Sequence, residues 1–142
     1  MGRSRGGLTT KIHALVDAEG RAVRLSLSPG QAHDCPAGKA LLETIKPSGI
    51  LLADKAYDSQ NLRAQIESQG GWANVPSRRN AREKTAFSKW LYRQRNLVER
   101  FFNKLKQFRG LATRYDKRPE NFLAAVKLVS IRLWLRHYES AP

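Results

Sequence analysis

The chain of 142 residues is long enough for one domain with a hydrophobic core and too short for two comfortable ones. A hydrophobic fraction of 41%, with three Trp and five Phe, favours a folded globular protein over a disordered one. The single cysteine, Cys35, excludes an intrachain disulfide and suits a reducing cytoplasm. No run reaches the ~18 apolar residues of a membrane-spanning helix, so a membrane protein is not expected.

The excess positive charge is concentrated in one part of the chain. Lys and Arg number 26 against 12 Asp and Glu, which gives a net charge of +14. Residues 77–118 carry 14 basic and three acidic side chains, whereas residues 1–76 carry nine and seven. Such a block is typical of a protein that binds a polyanion, because neutralising phosphates releases condensed counterions. The alternatives are a solvated basic face and a membrane-surface helix, which needs an apolar face free to insert. We therefore expect nucleic acid as the partner.

The first predicted element is a β-hairpin. Residues 11–16 and 22–28 are short apolar runs, and the second alternates with a period of two. The turn-forming residues 17–20 lie between them. Asp17 is therefore expected to be a turn residue. His13 is expected in the core or on the surface of a strand, since no second His or Cys has ligand spacing from it.

The second quarter of the chain places a carboxylate at the end of a strand. A short helix is predicted over residues 36–45, and residues 50–53 form an apolar run that stops at Asp54. A side chain just beyond the carboxyl end of a buried strand lies where α/β sheets open a crevice for chemistry. Taken alone, Asp54 would be a turn or cap residue. Asp58 or Ser59 is expected to cap the next helix.

A basic loop is expected after the next short strand, residues 72–76. Residues 77–84 are polar, basic and without periodicity, which suits contact with a phosphate backbone and equally suits a solvated linker. Arg78 and Arg79 are the candidate DNA-binding residues in this loop. Trp90 follows, either to stack on a base or, more commonly, to pack in the core.

Residues 88–108 contain no Gly or Pro and are predicted to form one α-helix. At about 100° per residue, apolar side chains occupy one arc of this helix, and an adjacent stripe within about 60° is polar. The simple interpretation is a basic amphipathic helix in which Glu99 is paired with Arg95. The stripe carries four side chains: Tyr92, Arg95, Glu99 and Lys106.

Three stretches of the chain resemble bacterial insertion-sequence transposases of the DDE type, in the insertion sequence four/five superfamily. The spacing of the four stripe residues matches the Tyr-Arg-Glu-Lys signature of that family without a gap. Residues 54–58, Asp-Lys-Ala-Tyr-Asp, match its Asp-x-x-Tyr-Asp motif. Residues 6–34 also resemble a familiar run of the family. The resemblance covers roughly residues 6–118.

The resemblance implies a fold and a set of site residues. The fold would be α/β and ribonuclease-H-like, a mixed sheet flanked by helices. Asp54 and Glu99 would be two of three acids that bind Mg²⁺, with Mn²⁺ as an alternative. Two such ions about 4 Å apart can stabilise the attacking and leaving oxygens of a phosphodiester. Tyr92, Arg95 and Lys106 would contact DNA near the end of the element.

The implied function is metal-dependent DNA strand cleavage and transfer at insertion-sequence ends and a target. Residues 1–118 would form the catalytic domain, and residues 119–142 a packing helix of the same domain, whose end is a candidate contact with another subunit. A homodimer is expected in the active complex, with a full-length transposase as a further candidate partner. The expected location is the bacterial cytoplasm, at the nucleoid. The alternative is a DNA-binding protein without catalysis, a relic or a modulator of an intact transposase.

One acid of the family has no match in this sequence. In the family it lies on the first, central strand of the sheet, upstream of the run that residues 6–34 resemble. We therefore expect a ribonuclease-H-like fold that lacks its first strand, in a chain that is the carboxyl-terminal part of a transposase and inactive alone. A decayed copy and the downstream frame of a frameshifted product are equally compatible with the sequence.

Overall fold

The computed structural model describes residues 2–4, 7–43, 49–108 and 119–140. Both helices and strands occur there, so the predicted α/β class is confirmed. The strands form a three-stranded sheet and a separate two-stranded sheet. A single mixed sheet of the ribonuclease-H-like type therefore stays a prediction. Within the described ranges, no helix is long and apolar enough to cross a membrane.

The chain divides into two compact units. Met1–Gly30 and Asn96–Pro142 form the first, and Gln31–Arg95 forms the second. Residue 118 lies outside the described residues, so the boundary predicted after it stays a prediction. In chain order the strands and α-helices are β1 (Gly2–Ser4), β2 (Gly7–Val16), β3 (Ala22–Pro29), α1 (Asp34–Glu43), β4 (Ile50–Leu52), α2 (Gln60–Ser68), β5 (Trp72–Asn74), α3 (Lys89–Tyr92), α4 (Asn96–Lys106) and α5 (Pro119–Ser140).

The predicted hairpin is confirmed in the first unit, where β2 pairs antiparallel with β3. Asp17 closes the turn as expected: its Oδ1 accepts hydrogen bonds from the amides of Glu19 (2.9 Å) and Arg21 (3.0 Å). Gly20 supplies the positive φ of 81° that the turn requires. His13 is a buried histidine whose Nε2 lies 2.6 Å from Ser28 Oγ, which confirms a core role.

Helices α4 and α5 bury their apolar faces against this hairpin. Phe101 and Leu105 of α4 and Phe122 and Val126 of α5 form a buried cluster. Val129 and Leu133 of α5 pack against the same cluster, so this helix is buried along one apolar stripe. Trp134 fixes α5 to the edge of the hairpin, since its indole N–H donates to the Ala22 carbonyl at 2.8 Å. The hairpin side chains packed on the cluster are Ile12, Ala14, Val16, Ala22, Leu25 and Leu27.

The second unit is built on two parallel strands, β4 and β5, in which Leu52 lies opposite Asn74. Helix α1 begins at Asp34, two residues earlier than predicted. Asp34 and Cys35 are therefore its first two residues. Helix α2 is capped by Ser59, whose hydroxyl accepts from the amide of Leu62 at 3.4 Å. The buried apolar residues of this unit are Leu42, Leu62, Ile66, Ala73 and Val75.

Candidate functional site

Asp54 follows strand β4 and serves as a cap. Its backbone is extended, and its Oδ1 accepts from the amide of Ala56 at 2.9 Å, which starts a 3-10 turn over Lys55–Tyr57. The cap role considered from the sequence is therefore real. It occupies one carboxylate oxygen and leaves the other for a second partner.

That second partner is Arg95, 41 residues later in the chain. Its Nη2 lies 3.2 Å from Asp54 Oδ2. The side chains are 26% exposed for Arg95 and 39% exposed for Asp54, so water and a ligand can reach the pair. Partly exposed ion pairs of this kind contribute little net stability, about 0–1 kcal/mol, and either partner can be exchanged at small cost.

Tyr92 completes a group of three predicted site residues within the second unit. The Arg95 guanidinium carbon lies 5.9 Å from the centre of the Tyr92 ring. Phe87 packs edge-on against Tyr92, with the two ring centroids 5.1 Å apart. The second unit therefore brings together a candidate metal ligand, Asp54, and two candidate DNA contacts.

Arg78 joins the same region of the second unit. Its amide donates to Asp58 Oδ2 at 2.7 Å. Its guanidinium donates to the carbonyls of Lys55 (3.4 Å) and Ala56 (3.3 Å) and lies 3.7 Å from the sulfur of Cys35. This predicted DNA-binding residue is therefore held along the segment that begins with Asp54.

Asp58 has a role that the sequence did not indicate. It was expected to be a helix cap, but Ser59 caps α2, and the Asp58 carboxylate binds the guanidinium of Arg63 at 2.9 Å. Arg63 is 9% exposed and also donates to the carbonyls of Ala73 (3.4 Å) and Val75 (2.7 Å). Burial opposes ionisation of Asp58, yet hydrogen bonds from Arg78 and Arg63 outweigh it and lower the pKa. An arginine in an amphipathic helix usually indicates solvent exposure, so no local signal marks this pair.

Tyr57, the tyrosine of the Asp-x-x-Tyr-Asp motif, packs on helix α1. A Cβ added at Gly38 would lie 2.7 Å from its Cδ1. Burial first, and then the negative charges of Asp34 and Asp54, raise the pKa of Tyr57 well above its usual value. The phenol therefore stays protonated, and it cannot act as a base near neutral pH.

The prediction of one α-helix over residues 88–108 is wrong. Helix α3 ends at Tyr92, Arg93–Arg95 form a 3-10 turn, and α4 begins at Asn96. A 3-10 turn has three residues per turn, so the predicted polar stripe is not continuous across it. Glu99 lies in the first turn of α4 and Lys106 at its end, both exposed.

The basic loop before α3 is ordered by its own hydrogen bonds. Ser77 Oγ accepts from the amide of Thr85 at 3.0 Å. The Lys84 ammonium donates to the carbonyls of Arg78 (2.6 Å) and Arg79 (3.2 Å). These bonds close the loop and leave the Arg79 side chain exposed. Contact with a phosphate backbone and a solvated linker both stay possible roles for this loop.

Trp90 is exposed and does not pack in the core. Its side chain is 70% exposed on α3. Its chain neighbours Lys89 and Arg93 are also exposed. An exposed indole among cations is suited to stacking on a nucleic-acid base.

The candidate carboxylate ligands are of the type that a divalent cation prefers, but fewer than three potential ligands lie together among the described residues. Among residues 2–4, 7–43, 49–108 and 119–140, no group of three or more His, Cys, Asp and Glu side chains could hold a metal ion. Mg²⁺ prefers carboxylate oxygens, needs only one or two of them and keeps several waters. Asp54 meets that requirement, because it is partly exposed and its Oδ2 has an exchangeable partner. Glu99 is a second exposed carboxylate.

Comparison with known proteins identifies the class. A family model described as a transposase DDE domain matches residues 2–134, and the chain belongs to this family. It is 39% identical over 130 residues to the "Putative transposase for insertion sequence element IS6501" of Brucella ovis, which covers 91% of this chain and 100% of that protein. It is 31% identical over 111 residues to the "Transposase for insertion sequence element IS1106" of Neisseria meningitidis serogroup B, covering 74% of this chain and 38% of that protein. No solved structure shows a significant match.

These matches confirm the resemblance to DDE-type insertion-sequence transposases. The family typically uses a divalent metal ion. Membership of the insertion sequence four/five superfamily and the roles of individual residues stay predictions.

Proposed function

We propose that this chain binds the DNA ends of an insertion sequence and contributes Asp54 and Glu99 to metal-dependent cleavage and transfer of the strands. The observation that carries the proposal is the Asp54–Arg95 ion pair at 3.2 Å. It joins the carboxylate of one family motif to the arginine of the other. An acid and a phosphate-binding cation side by side are what phosphodiester chemistry needs.

Arg95 would exchange its partner when DNA binds. Its guanidinium presents a planar fork of donors that matches two phosphate oxygens, whereas it now makes one 3.2 Å bond to Asp54. The ion pair is partly exposed and weak, so a phosphate can compete for Arg95. Its departure would leave Asp54 Oδ2 open, while the bond from Ala56 would keep the carboxylate oriented.

Asp54 and Glu99 are the residues that would hold the cation, Mg²⁺ or Mn²⁺. When bound, the metal would lower the pKa of the attacking group and stabilise negative charge on the reacting phosphate. The Tyr57 ring would contribute packing against α1 beside this site.

The DNA surface would extend from Arg95 over the basic loop. Arg78, Arg79 and Lys106 would contact phosphates, Tyr92 would lie beside Arg95, and Trp90 would stack on a base. The insertion-sequence ends and the target would both be bound in this way. Binding would take place at the bacterial nucleoid. The active complex would be a homodimer or would include a full-length transposase.

A second candidate is DNA binding without catalysis, as a relic or a modulator. The observation that favours it is that the described residues form no group of three metal ligands. Phosphate contacts from the basic loop would suffice for this function. Metal dependence separates the candidates, because cleavage requires the cation whereas backbone binding weakens with salt and does not require Mg²⁺.

Salt-dependent binding of labelled element-end duplex tests the DNA surface. Arg79→Ala is expected to weaken affinity about tenfold and to reduce the salt slope by about one, as loss of one phosphate contact does. Arg24→Ala is the matched control, since Arg24 is also an exposed arginine and lies on the hairpin of the first unit. An unchanged slope for Arg79→Ala, or equal losses for both variants, would contradict the proposed surface.

A further inference from the structure

Asn74 is a buried amide whose two ends bind the backbone of one other residue. It lies at the end of strand β5 and is 0% exposed. Its Nδ2 donates to the carbonyl of Ser88 at 3.0 Å, and its Oδ1 accepts from the amide of Ser88 at 2.8 Å. A buried amide paired in this two-point way fixes its partner in position and orientation, since either group left unpaired would be costly.

Ser88 is the residue from which helix α3 starts. Its hydroxyl accepts from the amide of Leu91 at 3.3 Å, which caps the helix. Its carbonyl accepts from the amide of Tyr92 at 3.1 Å, so this oxygen is shared between Tyr92 and Asn74. The position of Asn74 therefore sets where the helix begins and how its first turn is oriented.

Strand pairing connects Asn74 to the acid on the neighbouring strand. Leu52 lies opposite Asn74 in the parallel ladder, and Asp54 follows two residues after Leu52. The contacts close a circuit: β4 carries Asp54, β5 carries Asn74, Asn74 holds Ser88, and the segment that starts there carries Arg95 back to Asp54. Every link of this circuit lies within the second unit.

We propose that Asn74 is a positioning residue that sets Arg95 against Asp54 for DNA binding. The proposal rests on the proposed function, in which Arg95 binds phosphate. In a purely structural role, Asn74 would only hold the segment between β5 and α3 in place. In that case, losing Asn74 would lower stability without changing what Arg95 contributes.

The first test is a double-mutant cycle on DNA affinity. Arg95→Ala is expected to weaken binding of element-end duplex about tenfold in the wild-type background. In the Asn74→Ala background it should weaken binding less than about twofold, because Arg95 is already misplaced. Leu62→Ala is the control background: Leu62 is buried in the same unit and its side chain is not part of the circuit. There the tenfold effect should persist.

The outcomes separate the two proposals. A tenfold effect of Arg95→Ala in all three backgrounds would overturn the positioning role and leave the proposed DNA contact intact. No effect in the wild-type background would remove the proposed contact of Arg95, and with it the functional meaning of Asn74. An effect that vanishes in both the Asn74→Ala and Leu62→Ala backgrounds would reduce Asn74 to a structural residue.

Amide hydrogen exchange tests the positioning itself without DNA. Asn74→Ala should speed exchange of the Leu91 and Tyr92 amides at least about tenfold, with Ile66 in α2 as the internal reference. Asn74→Asp is a variant of the same size. It keeps the oxygen that accepts from the Ser88 amide, but it places a second oxygen against the Ser88 carbonyl. It should accelerate the same two amides at least as much as Asn74→Ala, because a buried carboxylate oxygen repels the Ser88 carbonyl. Unchanged protection at Leu91 and Tyr92 in both variants would overturn the proposal.

Discussion

At the scale of single residues, Asp58 shows how a short motif can serve packing as well as chemistry. Its carboxylate satisfies a buried arginine, Arg63, which in turn donates to the end of strand β5. The side chains of the pair are 14% and 11% exposed, so solvent screens it little. The second acid of the Asp-x-x-Tyr-Asp motif is therefore a structural residue, whereas the first, Asp54, is the accessible one.

This pair gives the second unit a dependence on pH. The pKa of Asp58 lies below its ordinary value of 3.8, so the folded chain binds fewer protons than the unfolded one as pH falls. The stability that it contributes is present above that value and is lost as pH drops through the folded pKa. Asp58→Asn should lower the free energy of unfolding at pH 7 by about 3 kcal/mol and reduce its further fall between about pH 5 and pH 3.

Urea unfolding at several pH values measures both quantities. Glu67→Gln is the matched control, because Glu67 is an exposed carboxylate on α2 and should change neither. A fall between pH 5 and pH 3 as steep in Asp58→Asn as in wild type would show that the pair is not the source of the pH dependence.

At the scale of elements, the packing of α1 on the 3-10 turn after β4 depends on one missing side chain. Gly38 lies in the middle of α1, where alanine would normally stabilise the helix by about 1 kcal/mol. A Cβ there would come within 2.7 Å of the Tyr57 ring, which is too close for any real contact. The ring would have to move, and overpacking of this kind costs about 1–3 kcal/mol.

Gly38→Ala is therefore expected to be destabilising, against the intrinsic preference of a helix. Thermal unfolding measures the sign directly. Lys39→Ala, at the next and exposed position of the same helix, is expected to be neutral or slightly stabilising. A rise in melting temperature for Gly38→Ala would mean that Tyr57 is not packed on α1 as described.

The elements also show what local sequence could and could not predict. The hairpin and the apolar stripe of α5 were predictable, because hydrophobic periodicity reports directly which face is buried. The strand before Asp54 was predictable for the same reason. The 3-10 turn at Arg93–Arg95 was not, because Arg and Gln favour an α-helix and the interruption reflects tertiary context.

The contacts between the site residues could not be predicted from the sequence either. Asn74 and Ser88 are 14 residues apart, and Arg95 and Asp54 are 41 residues apart. Asn74 and Ser88 do not stand out from their neighbours by type or spacing. The motif resemblance selected Asp54 and Arg95 as site residues, but only the fold joins them.

At the scale of the whole molecule, charge and family membership point to the same partner. The chain carries +14, concentrated in residues 77–118, and it belongs to the transposase DDE domain family. Electrostatic attraction would account for the proposed DNA binding without any metal. What distinguishes a transposase from a DNA-binding protein is therefore the proposed metal-dependent cleavage by Asp54 and Glu99.

Nicking of labelled element-end DNA in Mg²⁺ or Mn²⁺ is the decisive measurement of this cleavage. It compares this chain with a version extended upstream to include a further acid, each with and without Asp54→Asn. We expect nicking in the extended chain, abolished by Asp54→Asn and by Glu99→Gln and retained in the control Glu67→Gln, with DNA binding retained in every variant. Nicking by the present chain, lost in Asp54→Asn, would mean that one of its own residues supplies the third acid. Binding without nicking in either chain, or nicking that survives Asp54→Asn, would rule out metal-dependent cleavage through Asp54 and Glu99.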